Sequence, residues 1–131
     1  TAELRVDLFA HLETAYDVLT VEASADQGET WVPLPGHLEA EHEEPVEVPD
    51  GQITGWGLRT VWDGTFPLSA VGAPPAGEVQ IRLRLRTDRS TRGLGAWVGR
   101  LRVLEKGQEL FDSDRSDDRQ EVVADGWALG G

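Results

Sequence analysis

The sequence contains no cysteine and no methionine, a single lysine, and aromatic residues at only 7%. Without cysteine there can be no disulfide, thiolate zinc site or cysteine nucleophile, although the compartment stays open because many exported bacterial proteins avoid the residue. The missing methionine, initiator included, reads as a trimmed or excised piece of a longer chain. No run of ~18 apolar residues is present to cross a bilayer. Thr1-Ala2-Glu3-Leu4 lacks the basic-then-apolar order of a secretion signal. A soluble chain without membrane insertion is expected, any signal having been removed or never present. Bases are scarce too: 12 Lys and Arg stand against 24 Asp and Glu, for a net charge of -12. That charge repels phosphate backbones and anionic membranes, so a nucleic-acid partner is not expected.

What is present is the size of one domain, 131 residues, enough to bury a core of its own. Leu4, Val6, Leu8 and Ala10 alternate with Glu3, Arg5 and Asp7, the two-residue period of a strand with one buried face, and Phe9 is the exception. Leu19, Val21 and Ala23 alternate with Thr20, Glu22 and Ser24, and Asp26-Gln27-Gly28-Glu29 supplies a turn. The return strand, Thr30-Trp31-Val32, is expected to stop at Pro33, which cannot donate to a ladder. Val79, Ile81, Leu83 and Leu85 alternate with Gln80, Arg82, Arg84 and Arg86. Residues 95 to 104 continue as a strand with Trp97, Leu101 and Val103 in one set and Val98, Arg100 and Arg102 in the other. Short strands with glycine and proline punctuation and no helical period predict an all-β sandwich of two antiparallel sheets. Trp31 and Trp97 are expected in its core.

Two stretches stand apart. His37 to Asp50, HLEAEHEEPVEVPD, carries six acids and reads as a solvated loop. Residues 107–131 form an acidic, glycine-ended segment whose large apolar groups are Leu110, Phe111, Trp127 and Leu129. The sandwich is therefore placed at residues 1–106. The remainder either folds back on it, donating Phe111 and Trp127, or begins a following module.

The hairpin Tyr16-Asp17-x-Leu19-x-Val21-Glu22-x-Ser24-x-Asp26-x-Gly28-x-Thr30-Trp31, with Leu34-Pro35-Gly36 after it, resembles that of a jelly-roll, MAM-like domain. Such domains are attached to secreted bacterial metallopeptidases of the immune inhibitor A family and to some secreted subtilisin-like proteases. Ile53-Thr54-Gly55, Pro67-Leu68-Ser69-Ala70, Val79 to Arg84 and Gly95-Ala96-Trp97-Val98 are similar to further segments of that family in the same order, and Leu110 to Asp114 resembles a stretch that often follows. The resemblance implies a jelly-roll β-sandwich acting as a non-catalytic accessory module, secreted or cell-surface and bacterial. Its work would be to position a parent catalytic domain or a protein or glycan substrate. A carbohydrate-binding module using an exposed tryptophan is the rival reading, and a small hydrolase dependent on His37 or His42 is a third.

Chemistry-bearing motifs are few. His42-Glu43-Glu44-Pro45-Val46 begins like a zincin H-E-x-x-H, but Val46 replaces the second ligand and Pro45 breaks the helix. A loose metal site from His37, Glu39, Glu41 and His42 competes with a plain acidic loop. Asp112, Asp114 and Ser116 fall at positions 1, 3 and 5 of an EF-hand-like loop, yet Asp117 replaces its glycine and Val123 its last glutamate. The resemblance implies a structural calcium, for which Asp112, Asp114, Asp117 and Asp118 are the candidate ligands. Against it, Gly99-Arg100 stands where the family carries an aspartate.

Arg82, Arg84, Arg86, Arg100 and Arg102 would make one basic patch if their two strands are neighbours, either docking an acidic partner or pairing with Glu3, Asp7 or Glu22. Trp56, Trp62 and Trp127 are candidates for sugar stacking, Trp56 foremost because Gly55 and Gly57 flank it. No G-x-S-x-G elbow or nucleotide-binding glycine loop occurs, and all three histidines lie in the first third of the chain. Nothing in the spacing selects a glycosidase pair from so many acids.

Overall fold

The computed structural model describes residues 2–12, 17–55, 60–71, 79–86, 95–115 and 118. Within them, β1 (Ala2–His11) buries Leu4, Val6, Leu8 and Ala10 and turns Arg5, Asp7 and Phe9 outward, as its alternation requires. It sits inside a six-stranded antiparallel sheet, between β7 (Trp62–Pro67) and β9 (Gly95–Glu105). Beyond β7 come β4 (Gly36–Glu39) and β5 (Val46–Val48), and beyond β9 comes β10 (Gln108–Asp112).

The second sheet is built on β2 (Val18–Ser24), with β8 (Gln80–Arg86) paired along its whole length. The short β3 (Val32–Pro33) and β6 (Gln52–Ile53) pair with its two halves. Leu19, Val21 and Ala23 of β2 meet Leu4, Val6 and Leu8 of β1 in one core, together with Leu34, Leu38, Val48, Ile53 and Phe66. The result is a β-sandwich of two packed antiparallel sheets. Each fully buried leucine, valine or phenylalanine contributes roughly 1.5–3 kcal/mol to holding the sheets together.

The acidic stretch after His37 is a hairpin of the large sheet, not a loop. Register pairs His37 with Glu47 and Leu38 with Val46, and Leu38 and Val48 are buried. The acids occupy its turn and its outward positions, so the two-residue period survives beneath them. β7 was also silent in the sequence, because Gly64 and Pro67 interrupt Trp-Asp-Gly-Thr-Phe-Pro. The Phe66 ring explains that glycine. A Cβ on Gly64 would lie 2.8 Å from Phe66 Cε2, and one on Gly36, in the neighbouring strand, 2.4 Å from Phe66 Cδ1. The ring thus lies against two glycines and fills the space their missing side chains leave. At the far edge, a turn at Lys106-Gly107, both with positive φ, sends β10 back along β9. The first residues of the acidic segment therefore belong to the sandwich; Trp127 and Leu129 lie outside the described residues.

The hairpin turn after β2 is held by side chains. Ser24 Oγ donates to Asp26 Oδ1 at 2.7 Å and accepts from the Gly28 N–H at 2.9 Å, while Asp26 accepts from both the backbone and the hydroxyl of Thr30. This lets Gln27 and Gly28 take positive φ, 62° and 90°. The return strand is Val32–Pro33: it starts two residues after Thr30 and includes Pro33, which was expected to stop it, because Pro33 stands opposite Glu22 on an edge where its missing N–H costs nothing.

Those bonds lower the Asp26 pKa from 3.8 to about 2, the Thr30 hydroxyl being the largest cause. Because the folded value lies below the unfolded one, this stabilisation is complete above the ordinary aspartate range and is lost as the pH falls through about 2. Asp26→Ala is therefore expected to melt below the wild type at pH 7, and the gap between the two melting curves to close on acidification towards pH 2. A gap that persists unchanged in acid would contradict this account.

Candidate functional site

Along β9 the pairing with β1 slips once. Val6 is opposite Leu101 but Leu8 is opposite Val98, so Asp7 alone faces both Gly99 and Arg100. This is a β-bulge, and it shifts the alternation of everything before it by one residue. Leu101 and Val103 pack towards the core on one side of the bulge, Val98 and Ala96 on the other. Trp97, which simple alternation groups with Leu101 and Val103, is carried to the outer face and is 54% exposed. The expectation of a core Trp97 is thus corrected, and the cause is the pair Gly99-Arg100.

On the outer face Trp97 sits directly across from Phe9. Their ring centroids are 5.2 Å apart with planes at 68°, an edge-to-face contact that holds the indole in place. Val61, 63% exposed, stands beside them. Together with Asp7, Val98 and Gly99 these residues line an open groove of about 300 Å³. Phe9, the one break in the β1 pattern, is therefore half of an aromatic shelf. Arg5 continues the same face and donates to Asp63 through Nε at 3.4 Å and Nη2 at 2.6 Å, which raises its pKa further.

The other tryptophans fall elsewhere. Trp62 is buried in the core, opposite Leu8, so it presents no face to a sugar and its candidacy is withdrawn. Trp31 is half-buried, with the Arg82 guanidinium 4.0 Å above its ring and the same Arg82 bonded to Glu22 at 2.9 Å. Trp56 and Trp127 lie outside the described residues.

The five arginines do not form one patch, because β8 belongs to the small sheet and β9 to the large one. Arg82 is paired as just described, and Arg84 and Arg86 are exposed on β8. Arg102 lies between Arg5 and Asp112 in register.

Arg100 leaves the bulge towards the acidic corner. It grips both oxygens of Asp112, with Nε donating to Oδ1 at 3.0 Å and Nη2 to Oδ2 at closer range, and reaches Asp114 at 3.5 Å and Glu109 at 3.9 Å. Asp112 also accepts from the Asp114 N–H, and Asp118 accepts from the Asp112 N–H and from Arg115. Asp112 is buried, and Arg100 holds its carboxyl well below the usual range. Of the four proposed calcium ligands, Asp112 and Asp114 are thus drawn to the Arg100 guanidinium and Asp118 to that of Arg115; Asp117 lies outside the described residues. Among the described residues no group of three or more His, Asp or Glu is arranged to hold a metal ion.

His37 and His42 pair with their sequence neighbours Glu39 and Glu41, each at 3.3 Å. They occupy the strand and the turn of the β4–β5 hairpin. His11 is buried at the end of β1. The residues that matter most on this surface, Phe9, Val61 and Trp97, were not singled out by spacing. Phe9 alone left a signal, as an aromatic on the polar side of a clean alternation. No helix among the described residues is long and apolar enough to cross a membrane. Compared with known proteins, the chain matches no family model, no curated protein and no solved structure.

Proposed function

We propose that this chain is a non-catalytic binding module of a secreted bacterial protein, an accessory to a catalytic domain of the peptidase kind that the hairpin resemblance names. Its working surface is the outer face of the six-stranded sheet. One observation carries the reading: an indole 54% exposed, braced by Phe9 over a groove that exposed Val61 also lines. A lone exposed apolar residue would need no explanation, but apolar side chains grouped around a groove mark a binding surface. The acidic corner adds rigidity and no chemistry, since its carboxylates already satisfy Arg100, Arg115 and backbone N–H groups.

The test is depletion from solution by insoluble protein and polysaccharide matrices, run beside turnover assays on peptide and glycoside substrates. Depletion by at least one matrix, lost in Trp97→Ala, together with no turnover, is the expected result. Turnover abolished by His37→Ala or His42→Ala would replace the module with the small-hydrolase reading.

A further inference from the structure

Resting on that reading of the surface, we propose that the shelf of Phe9, Val61 and Trp97 is a stacking site for a neutral polysaccharide, with Asp7 accepting hydrogen bonds from its hydroxyls at the rim. The indole offers a flat apolar face of the sort that covers one face of a pyranose ring. Its edge-to-face contact with Phe9, 5.2 Å between centroids, sets its orientation before any ligand arrives, so little side-chain freedom is lost on binding.

Size separates a sugar from a protein partner. The groove of about 300 Å³ is at the small end of ligand sites. A stable protein interface instead needs about 800 Å² from each side, and three side chains of which one is half-buried fall well short of that. The groove is also open, so a long chain can run through it.

Charge selects among sugars. A net charge of -12 disfavours uronates and sulfated polymers. At the rim, Asp7 makes no ion pair among the described residues, so its carboxylate is left to accept from hydroxyls and to repel anionic sugars, while Arg5 further along the face is matched by Asp63. Gly99 keeps the space beside Asp7 clear, since a Cβ there would come within 3.2 Å of the Asp7 Cβ.

Affinity electrophoresis through soluble mixed-linkage β-glucan, xyloglucan and galactomannan, with alginate and polygalacturonate as anionic counterparts, tests the proposal on the whole chain. At least one neutral polymer should retard the wild type. Trp97→Ala should weaken binding roughly tenfold or more, as expected of a central aromatic anchor. Trp97→Tyr should keep most of it, and Arg84→Ala on the other sheet all of it. Val61→Asp, a change at an exposed position that leaves both rings, should also weaken retardation, so the result does not depend on one variant's folding. No retardation by any neutral polymer, retardation indifferent to both Trp97→Ala and Val61→Asp, or retardation by the anionic polymers alone overturns the proposal. Trp97-dependent capture on a protein matrix without any neutral-polymer retardation overturns it too, while leaving the binding-module reading standing.

Discussion

Gly36→Ala should be among the most damaging single-methyl additions to this protein. The added Cβ would lie 2.3 Å from the Thr65 carbonyl oxygen and 2.4 Å from Phe66 Cδ1. One obstacle is a ring and the other is backbone in the adjacent strand, so no rotamer change removes both. The expected loss is at or above the upper end of the roughly 1–3 kcal/mol typical of overpacking, a fall in Tm on the order of 10 °C. Phe66→Ala, which empties the same place, should cost roughly 3–5 kcal/mol. Combining the two separates the obstacles. The double variant should lose less than the sum of the singles because the ring is gone, yet remain below Phe66→Ala because the Thr65 carbonyl is not. Full additivity in thermal or urea unfolding would show that ring and methyl never compete for this space.

The second large effect is expected at Arg100. Its guanidinium satisfies both oxygens of a buried Asp112, so Arg100→Met strands a carboxylate in the protein. It should lower Tm clearly more than Arg84→Met or Arg86→Met, which remove charges from the exposed face of β8. Asp112→Leu added to Arg100→Met should recover much of the loss, because the stranded charge is then removed. Arg100 keeps the Asp112 pKa low, so the stabilisation is present throughout the neutral range and disappears only in strong acid. With the carboxylates already engaged, adding calcium or a chelator should leave the wild-type Tm unchanged; a rise with calcium would mean that the metal binds the folded chain.

Both effects come from residues that the sequence made unequally visible. β1, β2, β8 and most of β9 were legible because one face of each is apolar and the other polar, which is the signal alternation carries. β4 and β5 were hidden by the acids on their outward positions, and β7 by Gly64, whose place in a strand depends on a ring two residues away. The arginine patch failed because assigning β8 and β9 to sheets is a matter of topology that local pattern does not contain. The aromatic shelf was missed for a more specific reason. Alternation assumes an unbroken pleat, and the extra residue opposite Asp7 breaks it between Trp97 and Leu101. Gly99-Arg100 did stand out, as the place where an expected aspartate is missing, though not for the structural work it performs.

Two residues share one outward position opposite Asp7, and this settles what a change of length would do to the shelf. Remove residue 99 and the pleat would run straight, with Arg100 alone across from Asp7, Val98 still opposite Leu8 and the indole still outward opposite Phe9. The kink therefore absorbs one amino acid without exchanging lining and exterior. Loss of that codon would cost local twist and the space beside the carboxylate, while the aromatic platform would keep its place in water.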